Sequence, residues 1–103
     1  GMTGGFGVAC AAIEGLTRTL ADELGSSGIR VVCLRPHRIG ETLVEADFPM
    51  PRDEFVGFLE NMTLTRRLPT LDEVGGTAAF LASHHAASMS GVVANLTGGM
   101  SVD

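Results

Sequence analysis

The 103 residues contain no tryptophan, no tyrosine and only two cysteines. Without tyrosine there is no phenolic proton donor anywhere in the chain. Two thiols, Cys10 and Cys33, are too few for a disulfide framework, and each falls in a predicted helix or strand where a thiol acts as a small hydrophobe. A reducing cytoplasm suits that pattern. Basic residues are also scarce: seven against twelve acids, with a net charge of −5 and a pI near 5.0. A nucleic-acid surface needs clustered cations, so no nucleic-acid partner is expected. The only adjacent basic pair, Arg66-Arg67, reads as a solvated turn residue followed by an arginine with a buried stem. No uninterrupted apolar run approaches the roughly 20 residues needed to cross a bilayer, and no basic region precedes an apolar one at the Gly-rich N-terminus. Neither a membrane span nor a secretory leader is expected, and Gly1 ahead of Met2 reads as a tag remnant. With 45% hydrophobic residues, the composition suits one small cytoplasmic domain.

The apolar residues that are present recur in two helix–strand units separated by an irregular segment. Ile13, Leu16, Leu20 and Leu24, extended by Ala9 and Ala12, predict a helix over residues 7–24, ended by Gly25 as a left-handed cap. After the Ser26-Ser27-Gly28 turn, Ile29, Val31, Val32, Cys33 and Leu34 form the near-continuous apolar run of a strand buried on both faces. Pro36 closes it. Phe55, Phe58, Leu59 and Met62 share one face and predict a short amphipathic helix over residues 53–62. Thr70 and Glu73 are spaced for a capping box, and Val74, Thr77, Ala78, Leu81 and Ala82 continue that helix. Gly75-Gly76 costs about 1 kcal/mol per glycine within a helix, so this helix is weak or a neighbouring backbone approaches it. Adjacent His84 and His85 cannot both face one metal, and no further ligand follows at suitable spacing. They read as solvated residues favoured at a helix end. Val92 to Leu96 predicts the last strand, with Asn95 as a satisfied polar residue and a turn at Thr97-Gly98-Gly99.

Phe6-Gly7-Val8-Ala9-Cys10, followed by the Ala-rich run to Ala21, resembles the catalytic helix of the short-chain dehydrogenase/reductase family. That family carries Tyr-x-x-x-Lys here, so Phe6 stands for the tyrosine and Cys10 for the lysine. Residues 28–36 resemble the family's sixth strand, residues 36–42 the loop after it, residues 67–83 its last long helix, and residues 90–100 its closing strand and turn. The implied fold is α/β: the C-terminal portion of a Rossmann-like parallel sheet, about two strands with packing helices, in a single incomplete domain over residues 1–103. The resemblance makes Pro36, Ile39 and Thr42 vestigial cofactor-binding positions in a loop that contacts the nicotinamide carboxamide, with His37 where glycine is usual. The residue types also allow a plainer reading, in which Pro36 ends a strand and Thr42 caps a short helix. The middle segment corresponds to a substrate-covering flap, or equally to an apolar face packed on a partner. Thr97 stands where the family usually has Asp.

Thr3-Gly4-Gly5-Phe6-Gly7 looks like part of a phosphate loop, but such a loop needs a preceding strand. Only Gly1 and Met2 precede it, which favours a flexible lead into the helix. A two-stranded parallel unit leaves a sheet edge unpaired, and a chain of this length buries only about 60–70% of its unfolded surface. A homodimer or higher oligomer that completes the sheet by self-association is therefore expected. The expected function is a truncated, degenerate family homologue without independent redox activity, acting as a self-associating or binding module. The alternative is part of an NAD(P)-dependent oxidoreductase whose cofactor-binding half is supplied elsewhere. No catalytic residue, metal or cofactor is expected for the chain alone; NAD or NADP enters only with that other half. A third reading gives Cys10 reactive thiol chemistry from its place near a helix N-terminus, against an inert buried thiol.

Overall fold

A computed structural model of the chain describes residues 4–43 and 50–100, with the side chain of Phe6 outside the description. Its elements are α1 (Gly4–Leu24), β1 (Val32–Pro36), α2 (Arg52–Asn61), α3 (Leu71–Ala82) and β2 (Val92–Leu96). The strands pair as a two-stranded parallel sheet. Backbone bonds continue past both ends of the pair, from Gly91 N to Val31 O (2.8 Å) and from His37 N to Leu96 O (3.3 Å). Val32, Cys33, Leu34 and Arg35 are only half-buried, against the expectation of a strand covered on both faces. Only one strand flanks β1 among the described residues, which leaves its other edge open. The strand also begins three residues later than the apolar run suggested. The chain divides into two compact units, residues 1–33 with 80–94 and residues 34–79 with 95–103.

In the first unit, α1 ends in a single 3₁₀ turn, Gly25–Ser27, and the left-handed residue is Gly28 at φ 78°, not Gly25. Tightening of the last turn carries the cap three residues on, where glycine again tolerates positive φ. The stripe of α1 also differs from expectation. Thr17 is buried and donates to Ile13 O at 2.8 Å, whereas Val8, Ile13 and Leu16 are 72%, 56% and 54% exposed. At about 100° per residue, Val8, Ala9, Ala12, Ile13 and Leu16 share one face, and Cys10, Thr17, Ala21 and Leu24 share another. It is the second, less apolar face that is covered.

Arg30 organises the rest of this unit. Its Nη1 donates to the carbonyls of Leu81 (2.8 Å), Ala86 (3.0 Å) and Met89 (3.3 Å), and its Nη2 to Ser83 O (3.2 Å). The last carbonyls of a helix lack intrahelical partners, and one guanidinium here serves the end of α3 and the turn after it. Leu81 and Ala86, which carry two of these carbonyls, are buried. Ser90 Oγ accepts from Val31 N at 3.1 Å, tying the turn to the start of β1.

In the second unit, Phe55, Leu59 and Leu68 form the core, with Leu43, Met50 and Val56 packed against it. Phe58 and Met62 were expected on the same face but are exposed. Phe58 lies about 100° from Leu59 on α2, and Met62 follows the helix end. Buried Thr63 donates from Oγ1 to Glu60 O (2.9 Å) and accepts from Arg67 N (3.1 Å). The turn after β2 closes onto this segment through Thr65 N to Gly98 O (2.9 Å). Gly98 and Gly99 have φ of 64° and 87°, and a Cβ on them would fall 2.6 Å from Thr65 Oγ1 and 2.7 Å from Leu64 Cβ. Both positions therefore require glycine for conformation and for space. The capping box of α3 forms in both directions: Glu73 N donates to Thr70 Oγ1 (3.1 Å), and Thr70 N to Glu73 Oε1 (2.9 Å). Nothing lies within 4 Å of a Cβ built on Gly75 or Gly76, so the glycines weaken α3 without admitting a close neighbour. Asn95 Oδ1 accepts from Thr97 N at 3.0 Å, as expected of a satisfied polar residue.

Replacing Arg30 by Met is expected to lower unfolding stability by about 1.5–3 kcal/mol, the range for hydrogen bonds to a charged group, read as a lower urea midpoint at unchanged slope. Arg30→Lys should recover only part of this, because an ammonium does not reproduce the planar fork. An unchanged midpoint for Arg30→Met would contradict the clamp.

Candidate functional site

β1 ends at Pro36, and the loop leaving its carboxyl end occupies the position where open α/β sheets bind ligands. Its backbone is tied down residue by residue. Ile39 O accepts from Thr42 N and from Thr42 Oγ1, both at 3.0 Å, around a 3₁₀ turn at Gly40–Thr42. Arg52 Nη2 donates to Gly40 O at 3.3 Å, and a Cβ on Gly40 would meet Leu68 Cδ1 at 3.8 Å. Glu41 Oε1 accepts from Leu71 N at 2.8 Å, placing a carboxylate on the first turn of α3, where negative charge is favoured. The exposed Arg38 guanidinium lies 5.5 Å from the Phe55 ring centroid.

His37 is the unsatisfied member of this loop. Its backbone N extends the sheet, but its Nε2 is buried and has no hydrogen-bond partner among the described residues. Burial, followed by the adjacent Arg38 charge, holds its pKa below the ordinary histidine value. The ring is therefore neutral near pH 7.

Beside the loop, Glu73 accepts from Arg67 Nη1 at 2.7 Å and pairs through Oε2 with Arg67 Nη2. The Arg67 hydrogen bonds, then the Thr70 N–H, hold its pKa at about 2. Arg67 is thus an exposed ion-pair partner and not the buried-stem residue expected, because Glu73 draws its head out to the start of α3.

Pro36 is the last residue of β1, and Ile39 and Thr42 lie in the loop after it, with the Thr42 hydroxyl turned back on Ile39 O. Phe6 and Cys10 lie one turn apart on α1, and Cys10 is a half-buried free thiol. The side chain of Phe6 and residue Thr3 lie outside the described residues; Gly4, Gly5 and Gly7 fall inside α1. His84 and His85 stack at 4.3 Å between ring centroids in a short turn after α3. Among the described residues no group of three or more His, Cys, Asp or Glu could hold a metal, and no helix is long and apolar enough to cross a membrane. An open cleft of about 610 Å³ near the end of α1 is lined by Asp22, Ile29, Arg30 and Ser90, with Arg30 already engaged by carbonyls. The sequence reading missed Glu41 and Arg30, whose partners lie 30 and more than 50 residues away.

An α/β unit with a parallel pair and a loop at its strand ends defines part of a dinucleotide-binding type of fold. A family profile described as Enoyl-(Acyl carrier protein) reductase matches residues 2–101. The chain belongs to the short-chain dehydrogenase/reductase family. It is 37% identical over 95 residues to xanthoxin dehydrogenase of Arabidopsis thaliana, covering 85% of this chain and 33% of that protein. It is 34% identical over 97 residues to the NADH enoyl-acyl-carrier-protein reductase FabI of Escherichia coli strain K12, covering 94% and 36%. A solved short-chain type dehydrogenase/reductase from Mycobacterium ulcerans superposes with a TM-score of 0.82 at 34% identity, covering 94% of this chain and 34% of that one. The chain spans about a third of the length of the curated relatives it matches.

Acid is expected to weaken the fold in two stages. Between neutrality and about pH 5, the unfolded chain takes up a proton at His37 that the fold resists, so stability falls as pH drops through about 6.5. At lower pH, Glu73 contributes stability that is present above the ordinary carboxylate value and lost as pH falls toward 2. His37→Gln should flatten the first stage and Glu73→Gln the second in urea midpoints measured against pH. An unaltered first stage in His37→Gln would contradict this.

Proposed function

We propose that these residues carry out no hydride transfer of their own and act as a binding and self-associating module of the short-chain dehydrogenase/reductase family. The reading rests on Phe6 and Cys10, four residues apart on α1, at the positions that the sequence resemblance assigns to the family's Tyr and Lys. A phenyl ring has no proton to donate to a carbonyl, and a thiol supplies no permanent cation. All seven basic residues are arginine, so no lysine elsewhere in the chain takes over. Pro36, Ile39 and Thr42 then mark a vestige of the cofactor loop.

The residues present do not fit a dinucleotide by themselves. Gly4, Gly5 and Gly7 lie within α1 and not on a turn after a strand, which is where a pyrophosphate is cradled. The Thr42 hydroxyl is committed to Ile39 O. The family is NAD(P)-dependent, and a second reading follows from the chain's span of about a third of its relatives: it forms part of an NAD(P)-dependent oxidoreductase whose cofactor half is supplied elsewhere. Phe6 and Cys10 would still lack the proton donor and the cation in that assembly.

Self-association rests on uncovered apolar surface. On α1, Val8, Ile13 and Leu16 are 72%, 56% and 54% exposed. A second copy meeting that face of α1 covers it and gives a homodimer or larger assembly with the same patch on both sides.

Calorimetric titration of the chain with NADH and NADPH tests the absence of cofactor function. The expected result is no detectable heat of binding at millimolar ligand and no oxidation of either nucleotide with carbonyl substrates. Micromolar binding would overturn the first reading in favour of the second.

A further inference from the structure

The cleft at the end of α1 lies wholly within the unit of residues 1–33 and 80–94, and neither the fold nor the proposed self-association uses it. Its lining includes Ala21, Asp22, Ile29, Arg30, Ala87 and Ser90, which sets it at the amino end of β1. Its 610 Å³ falls within the range of small-molecule sites, about 300–1,000 Å³. Two side chains of opposite charge share this lining, yet Asp22 and Arg30 form no ion pair with one another. The Asp22 side chain is exposed, and among the described residues no hydrogen bond or ion pair engages its carboxylate. It stands in the last turn of α1, which also carries Glu23 and has no basic residue. Acids at the negative end of a helix dipole are unfavourable, and a cation brought there is favoured.

Arg30 is not exhausted by its carbonyls. A guanidinium has five N–H donors; Nη1 serves Leu81, Ala86 and Met89, and Nη2 serves Ser83. Its Nε–H and the second Nη2 N–H are unused among the described residues. Ser90 Oγ accepts from Val31 N, which leaves the hydroxyl proton free to donate. Ile29, 48% exposed, adds apolar surface with Ala21 and Ala87. A plain anion entering this cleft would meet Asp22 as a like charge, and a plain cation would meet Arg30. A ligand that carries both signs satisfies both.

We propose that the cleft binds a small zwitterion with an apolar body, of the amino-acid or dipeptide class. The ligand ammonium pairs with the Asp22 carboxylate, the ligand carboxylate accepts from Arg30 and the Ser90 hydroxyl, and the apolar body covers Ile29. This goes beyond the reading of the chain as a self-associating module and does not depend on Phe6 or Cys10.

The test uses the full 15N-labelled chain near neutral pH, observed by 1H–15N correlation spectra that include the arginine Nε–H resonances. Leucine and leucyl-leucine are the probes. The expected result is a saturable shift of the Arg30 Nε–H and of the Ile29 and Ser90 amides, while the amides of Ile39 and Thr42 stay unmoved. Leucinamide, which lacks the carboxylate, and N-acetylleucine, which lacks the ammonium, should each bind about tenfold more weakly than leucine, the scale of one lost charge-assisted contact. Asp22→Asn should weaken leucine binding by about fivefold, as for a solvent-exposed ion pair, and leave N-acetylleucine no weaker than before. An unmoved Arg30 Nε–H with both zwitterions up to their solubility limits overturns the proposal, as does equal affinity for leucine and either analogue, or undiminished leucine binding in folded Asp22→Asn. If that variant does not fold, the analogue series on the unaltered chain decides alone.

Discussion

Two strands that run parallel cannot be joined by a tight turn, so the chain between Pro36 and Val92 has to act as a crossover. The contacts that matter most in this protein secure the ends of that crossover. Arg30 takes the carbonyls of Leu81, Ser83, Ala86 and Met89, where α3 hands over to the turn before β2. At the other end of α3, Glu41 and the Thr70–Glu73 box satisfy its leading N–H groups. Turns at Gly91 and Gly98-Gly99 adopt positive φ to enter and leave β2. Each device meets a backbone group that a helix or strand end would otherwise leave unpaired.

Securing the crossover does not by itself provide a large core. Among the described residues the buried hydrophobics are Phe55, Leu59, Leu68, Leu81 and Ala86, whereas large side chains such as Val8, Ile13, Leu16, Phe58 and Leu64 are exposed. Isolated helices draw little stability from propensity alone and depend on packing of an apolar face. α1 covers the face that bears Thr17 and leaves its more apolar face open. Membership of a family whose relatives are about three times as long gives that imbalance a context. The proposed self-association is one way to resolve it, and further chain from an oxidoreductase assembly is the other.

Local chemistry was readable from the sequence. Thr70 and Glu73 announced a capping box because both partners lie within one turn, and the last strand was read as Val92 to Leu96, its observed extent. Gly98-Gly99 marked its turn because only glycine suits the conformation. Where two local solutions were available the sequence misled: Gly25 and Gly28 both flank Ser26-Ser27, and the tightened helix end selected the second. Long-range pairings left no local trace. Nothing near Arg30 indicates that its partners lie beyond residue 80, and nothing near Glu41 points to Leu71. Periodicity identified the stripe on α1 but could not say which face would find a neighbour. At the loop after β1, Pro36, Ile39 and Thr42 were legible as a resemblance, whereas the orphaned nitrogen of His37 emerges only from burial in three dimensions.

The central claim is that the apolar face of α1 is covered by a second copy of the chain. Multi-angle light scattering of the purified chain at micromolar concentration, with circular dichroism on the same sample, tests it most directly. The account predicts a helical, folded species of at least twice the 10.7 kDa chain mass. A well-folded monomer of 10.7 kDa would contradict it.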